Sequence, residues 1–153
     1  MVIERYIDFE TKHEDWSEYK LKDGSILKAR FVLIKVLDEG TYDERGNPVY
    51  SVNSTNAVGI LAPEKLRGKP TEEKYSPDEL EESIVEEDME FDRVKEGWNT
   101  YELKNGVKAS VKLVLASVSR TAKFDARGEP IYIFNVQPLI KVRIPRELRK
   151  KTK

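Results

Sequence analysis

An all-β fold, built twice from one small unit, is what this sequence predicts. Two observations carry that expectation. The chain contains an ungapped internal repeat at an offset of 82 residues. Within each copy, apolar runs of strand character are separated by Asp-Gly or Asn-Gly pairs and Gly-Pro turns, with no helix between the hairpins.

The repeat runs from Trp16 to Arg67 and again from Trp98 to Arg149, with 17 identical positions in 52. Chance would give roughly three or four matches over such a length, so duplication explains it better than composition. Upstream the match fades without vanishing, since Ile7 and Phe9 correspond to Met89 and Phe91. Each copy opens on a strand holding Trp16/Trp98, Tyr19/Tyr101 and Leu21/Leu103. Asp23-Gly24 and Asn105-Gly106 follow, residues that tolerate the positive φ of a two-residue hairpin. Next come the long apolar runs Leu27–Leu37 and Val107–Val118. The first alternates, then becomes apolar on both faces through Val32, Ile34 and Val36, which predicts a long, bent strand.

A second shared turn lies at Asp43–Pro48 and Asp125–Pro130. Gly46 and Gly128 permit positive φ there, and the Asp side chain can accept from amides two residues on. The strands Val49–Val52 and Ile131–Phe134 return. A last strand leads to Pro63 and Pro145, each opening one helical turn. Four or five strands with consecutive hairpins suit a small antiparallel barrel, SH3-like or OB-like, with SH3-like favoured.

Three segments follow: a first β unit over 1–70, an acidic linker over 71–92 and a second, basic β unit over 93–153. In the linker, Ser76, Pro77 and Glu79 form a capping-box start, predicting a short helix near 77–83. Units this small have little core to spare, so a pseudo-twofold packing with a shared apolar interface is expected. Exchange of the N-terminal strands, residues 2–9 and 84–91, fits that arrangement.

Charge divides sharply along the chain. Residues 1–70 hold 11 basic and 12 acidic residues, 71–92 one Lys against 11 acids, and 93–153 hold 15 basic against 5 acidic. In the second unit Lys108, Lys112, Arg120, Lys123, Arg127, Lys141 and Arg143 are basic, and only Arg30 and Arg45 are basic among their counterparts. Arg146, Arg149, Lys150, Lys151 and Lys153 extend the set. These positions are not needed by the shared scaffold, which makes them the candidate phosphate-binding residues of a nucleic-acid interface. The competing expectation is that the acidic linker docks on them. Repeated Trp and Tyr positions read as packing rather than base-stacking platforms, because they recur in the unit that is not basic.

Several functions are excluded or disfavoured. With no Cys there is no disulfide, thiolate metal site or cysteine nucleophile. His13 is the single histidine and sits among charges, as in a solvated loop. No phosphate-binding glycine loop or GxSxG occurs, and the acidic run 86–92 lacks the spacing of a calcium loop. No catalytic residue, metal or cofactor is therefore expected. The expected function is a non-catalytic interaction or assembly protein, with a protein partner or its own copy as partner. The alternative is nucleic-acid binding through the second unit. A charged fraction of 36% with one Gln and no Cys suits a protein adapted to heat. No signal or membrane-spanning run is evident, so a cytoplasmic, membrane-free protein is the expectation.

Overall fold

Four strands recur at the 82-residue offset in the two copies of the repeat, and each copy lends one of them to the other. The computed structural model describes residues 5–150. In chain order the strands are β1 (Tyr6–Ile7), β2 (Phe9–His13), β3 (Ser17–Leu21), β4 (Ile26–Tyr42) and β5 (Pro48–Leu61). A 3-10 turn (Glu64–Leu66) and helix α1 (Pro77–Glu82) come next. Then follow β6 (Ile84–Glu86), β7 (Phe91–Lys95), β8 (Asn99–Leu103), β9 (Lys108–Phe124) and β10 (Pro130–Arg143), with a closing 3-10 turn (Arg146–Leu148).

The class is all-β: two antiparallel five-stranded sheets and one short helix. The expected barrel is not found, because neither sheet closes. In the first sheet β4 carries β5 along one edge; β3 and β1 share its other edge, and β7 lies outside β3. In the second, β9 carries β10 on one edge and β8 and β6 on the other, with β2 outside β8. β2 therefore joins the second unit's sheet and β7 the first unit's. The strand that could have closed each sheet on its own β5 or β10 is spent on the other unit, so both meanders stay open.

The exchanged strands are Phe9–His13 and Phe91–Lys95, later than the expected 2–9 and 84–91. Tyr6–Ile7 and Ile84–Glu86 instead pair with their own unit's long strand, and residues 2–4 lie outside the described residues. His13 belongs to β2 rather than to a loop, and it is exposed.

The hairpins follow from local chemistry. Gly24 and Gly106 take φ of 93° and 94° in the first turns, and Gly46 and Gly128 take 82° and 81° in the second. Asp43 Oδ1 accepts from the Arg45 and Asn47 amides at 2.8 and 2.9 Å, and Asp125 Oδ1 from those of Arg127 and Glu129 at 2.8 and 3.0 Å. The predicted capping box is present, with Ser76 and Glu79 bonding each other's backbone N–H at the start of α1. The long strands bend at bulges, between Leu33 and Lys35 in β4 and opposite Asn135 and Val136 in β10.

One apolar cluster serves both units. Leu21, Leu27, Phe31 and Tyr19 from the first meet Leu103, Leu113, Val118 and Tyr101 from the second. Each second turn is also clasped by the other unit: the Lys150 amide donates to the Gly46 carbonyl at 2.7 Å, and the Gly68 amide to that of Gly128 at 2.8 Å.

Candidate interaction surfaces

Where the two units cross, a paired polar network joins them. The Tyr19 hydroxyl, almost fully buried, bonds the Glu96 carboxylate and accepts from the Leu115 amide at 3.1 Å. Its counterpart, the Tyr101 hydroxyl, donates to Glu14 at 2.8 Å. Ser17 and Asn99 donate across the interface to the carbonyls of Leu113 (3.1 Å) and Phe31 (2.8 Å). Burial, reinforced by the neighbouring carboxylate, pushes both tyrosines up to about 12. Glu96 is held below its usual range: burial opposes this, but bonds from Tyr19, Arg93 and Lys112 outweigh it. A phenol fixed neutral beside an ion-paired carboxylate is a structural clamp, poorly suited to moving protons near neutral pH.

This network explains part of the basic set. Lys112 Nζ lies 3.4 Å from Glu96, as Arg30 lies 2.6 Å from Glu14. Glu14 and Glu96 are themselves identical across the 82-residue offset, a signal that lay just upstream of the ungapped match. Arg120 Nε sits 3.3 Å from Asp23 Oδ2, which also accepts from Tyr132 at 2.8 Å. Lys112 and Arg120 thus spend their charge inside the molecule.

The seven candidate basic residues do not form one surface. Lys108, Lys112, Lys141 and Arg143 share the outer face at one end of β9 and β10, with Lys108 opposite Arg143 and Lys141 opposite Ser110. Lys112 and Lys141 flank the Trp98 ring, 5.1 and 4.6 Å from its centre. Arg120, Lys123 and Arg127 lie toward the other end. There Lys123 sits over Tyr75, 5.1 Å from the ring centre, and Arg127 occupies the exposed second turn. Arg146, Arg149 and Lys150 follow β10, and Lys151 and Lys153 lie outside the described residues.

The linker docks at that far end, and largely by backbone. Ile84 and Glu86 pair with Thr121 and Arg120, the Ala122 amide donates to the Ser83 carbonyl at 2.7 Å, and α1 lies against β9 and β10. Among the described residues no linker carboxylate is ion-paired with a base of the second unit. Lys108, Lys141 and Arg143 remain exposed.

A second surface lies where the far part of the β4–β5 hairpin faces β8, β9 and β10. There a cleft of about 490 Å³ opens, lined mainly by apolar side chains such as Val52, Tyr101, Pro138, Ile140 and Val142. Val52, Ile140 and Val142 are 55, 59 and 50% exposed. Asn47 reaches the same cleft, and its Oδ1 is buried without a hydrogen-bond partner. Beside the cleft runs β5, whose outer edge pairs with no strand among the described residues.

Among the described residues no cluster of His, Cys, Asp and Glu could hold a metal ion, and no helix is long and apolar enough to cross a membrane. No family model, curated protein or solved structure matches the chain.

Proposed function

We propose that the protein is a non-catalytic interaction protein that engages its partner along β5 and the adjoining cleft. One observation carries this reading: an uncovered strand edge runs beside an apolar cleft rimmed by half-exposed Val52, Ile140 and Val142. An edge offers main-chain hydrogen bonds and a neighbouring cleft selects side chains, which together are the means of strand addition. A photo-crosslinking residue at Ser54, compared with one at Lys141, tests it in a lysate of the source cells. Discrete protein adducts from position 54, absent from position 141, are expected. Adducts to nucleic acid from position 141, with none from position 54, would overturn it.

A second reading is supported by the uncovered outer face holding Lys108, Lys141 and Arg143 next to Trp98: nucleic-acid binding through phosphate contacts. It predicts affinity for single-stranded or duplex nucleic acid at low salt that falls steeply by about 0.2 M salt. Reversing Lys108 and Arg143 to Glu is the informative change. Lys112 is unsuitable for this purpose because it neutralises Glu96.

A further inference from the structure

We infer that the partner of the β5 edge is a second copy of this chain, paired antiparallel across a twofold axis near Thr55. This rests on the interaction reading above and names its partner.

Hydrogen-bond directions show which backbone groups are free. The Phe31 carbonyl accepts from Asn99 Nδ2 at 2.8 Å and from the Tyr101 hydroxyl at 3.3 Å, so it points away from β5. Phe31 is the register partner of Asn56. Opposed residues of an antiparallel ladder either exchange both bonds or both turn away. Asn56 therefore turns its N–H and C=O to the open side, as do Ser54, Val58 and Ile60 in the same register.

The strand also suits its own copy. From Val49 to Pro63 there is no charged residue, in a chain that is 36% charged, so self-pairing brings no like charges together. Centred on Thr55, antiparallel pairing sets Val52 against Val58 and Tyr50 against Ile60. Ser54 then meets Asn56. On this face apolar groups meet apolar and polar meet polar, and the exposed Val52 gains a neighbour; on the other face small residues Ala57 and Gly59 lie opposite Asn53 and Ser51.

The duplication supplies the control. In β10, Pro138 stands where β5 has Asn56, Lys141 where it has Gly59, and Arg143 where it has Leu61. Proline removes a ladder donor, and the edge charges of Lys141 and Arg143 discourage pairing. The remaining outer strands are short: β1 and β6 have two and three residues, and β2 and β7 have five and carry charge. Among the described residues only β5 combines length, an open side and no charge. Such an edge is an aggregation hazard unless something covers it.

Light scattering coupled to size exclusion, over a concentration series of the full chain, tests the inference. A dimer is expected. Asn56→Pro should raise its dissociation constant at least about tenfold with the fold intact, since Pro138 shows that the position accepts proline. Thr55→Lys, at an exposed residue, should do the same if the proline variant misfolds. Mixing Thr55→Lys with Thr55→Glu should restore a mixed dimer. A monomer at every concentration, or a dimer indifferent to both variants, overturns the inference. If protein adducts from Ser54 persist in the monomer, only the choice of partner has failed; if they are missing too, the interaction reading fails with it.

Discussion

The strands β5 and β10 occupy equivalent places in the 82-residue repeat and are treated oppositely. β10 is guarded by Pro138, Lys141 and Arg143, whereas β5 has none of these. The surfaces behind them differ as well. Unit one carries Val52 and Ser54 where unit two carries Phe134 and Val136, and Val136 packs against the core. Val58 and Ile60 of β5 also pack there, while their counterparts Ile140 and Val142 rim the cleft, half-exposed. On the outer faces, the exposed apolar pair Ile26–Leu61 faces water where unit two has Lys108–Arg143. Scaffold positions are alike in the two repeats while edges and outer faces differ, as the different surroundings of those edges and faces require.

The largest test asks whether the shared scaffold is truly shared. Leu21→Ala and Leu103→Ala remove equivalent buried side chains from one core cluster. Each should cost about 2–5 kcal/mol in denaturant unfolding, in a single transition. Two separable transitions would break the picture of one core. Next come Gly46→Ala and Gly128→Ala. Both positions have positive φ, and each is pressed by backbone of the other unit, so each should cost about 1–3 kcal/mol by the same measurement.

The crossing network offers a comparable effect with a pH signature. Tyr19→Phe leaves the Leu115 amide without its acceptor and should cost about 1–3 kcal/mol. Tyr19, Tyr101 and Tyr132 all sit at about 12 in the folded chain, raised from 10.0. The folded state therefore holds protons that the unfolded state has released. This stabilisation is full below pH 10.0 and is lost as pH rises through about 12, so melting temperature should fall there, less steeply in Tyr19→Phe. Glu96 behaves oppositely. Its value lies below the ordinary 4.5, so its contribution is present above that pH and fades as pH falls further. Glu96→Gln should flatten the acid limb.

The smallest expected effect sharpens the comparison of the two edges. Val52→Phe transplants the unit-two residue into the cleft and should shift stability by about 1 kcal/mol or less. It should also lower the fluorescence of an apolar dye bound to the protein. An unchanged signal would show that the cleft is not where apolar surface is accessible.

Much of the architecture was legible. The hairpin glycines, the Asp turns and the capping box could be read from residue types at fixed spacing. The open sheets could not, because a barrel and an exchanged pair use the same strands and differ only in which partner the first strand takes. The basic residues of unit two were visible as a group, but not their division. Lys112 and Arg120 are neutralised by Glu96 and Asp23, residues 16 and 97 positions distant in sequence. The free β5 edge was likewise hidden, since being uncharged becomes informative only once the strand is known to lie outermost.

Local chemistry in the chain decided the turns, the strands and the helix start, since each depends on a few adjacent side chains and their φ preferences. Tertiary structure decided which strands cross, which charges are paired and which edge is open. Those outcomes depend on long-range pairing, where one strand's choice of partner determines what every other strand leaves uncovered.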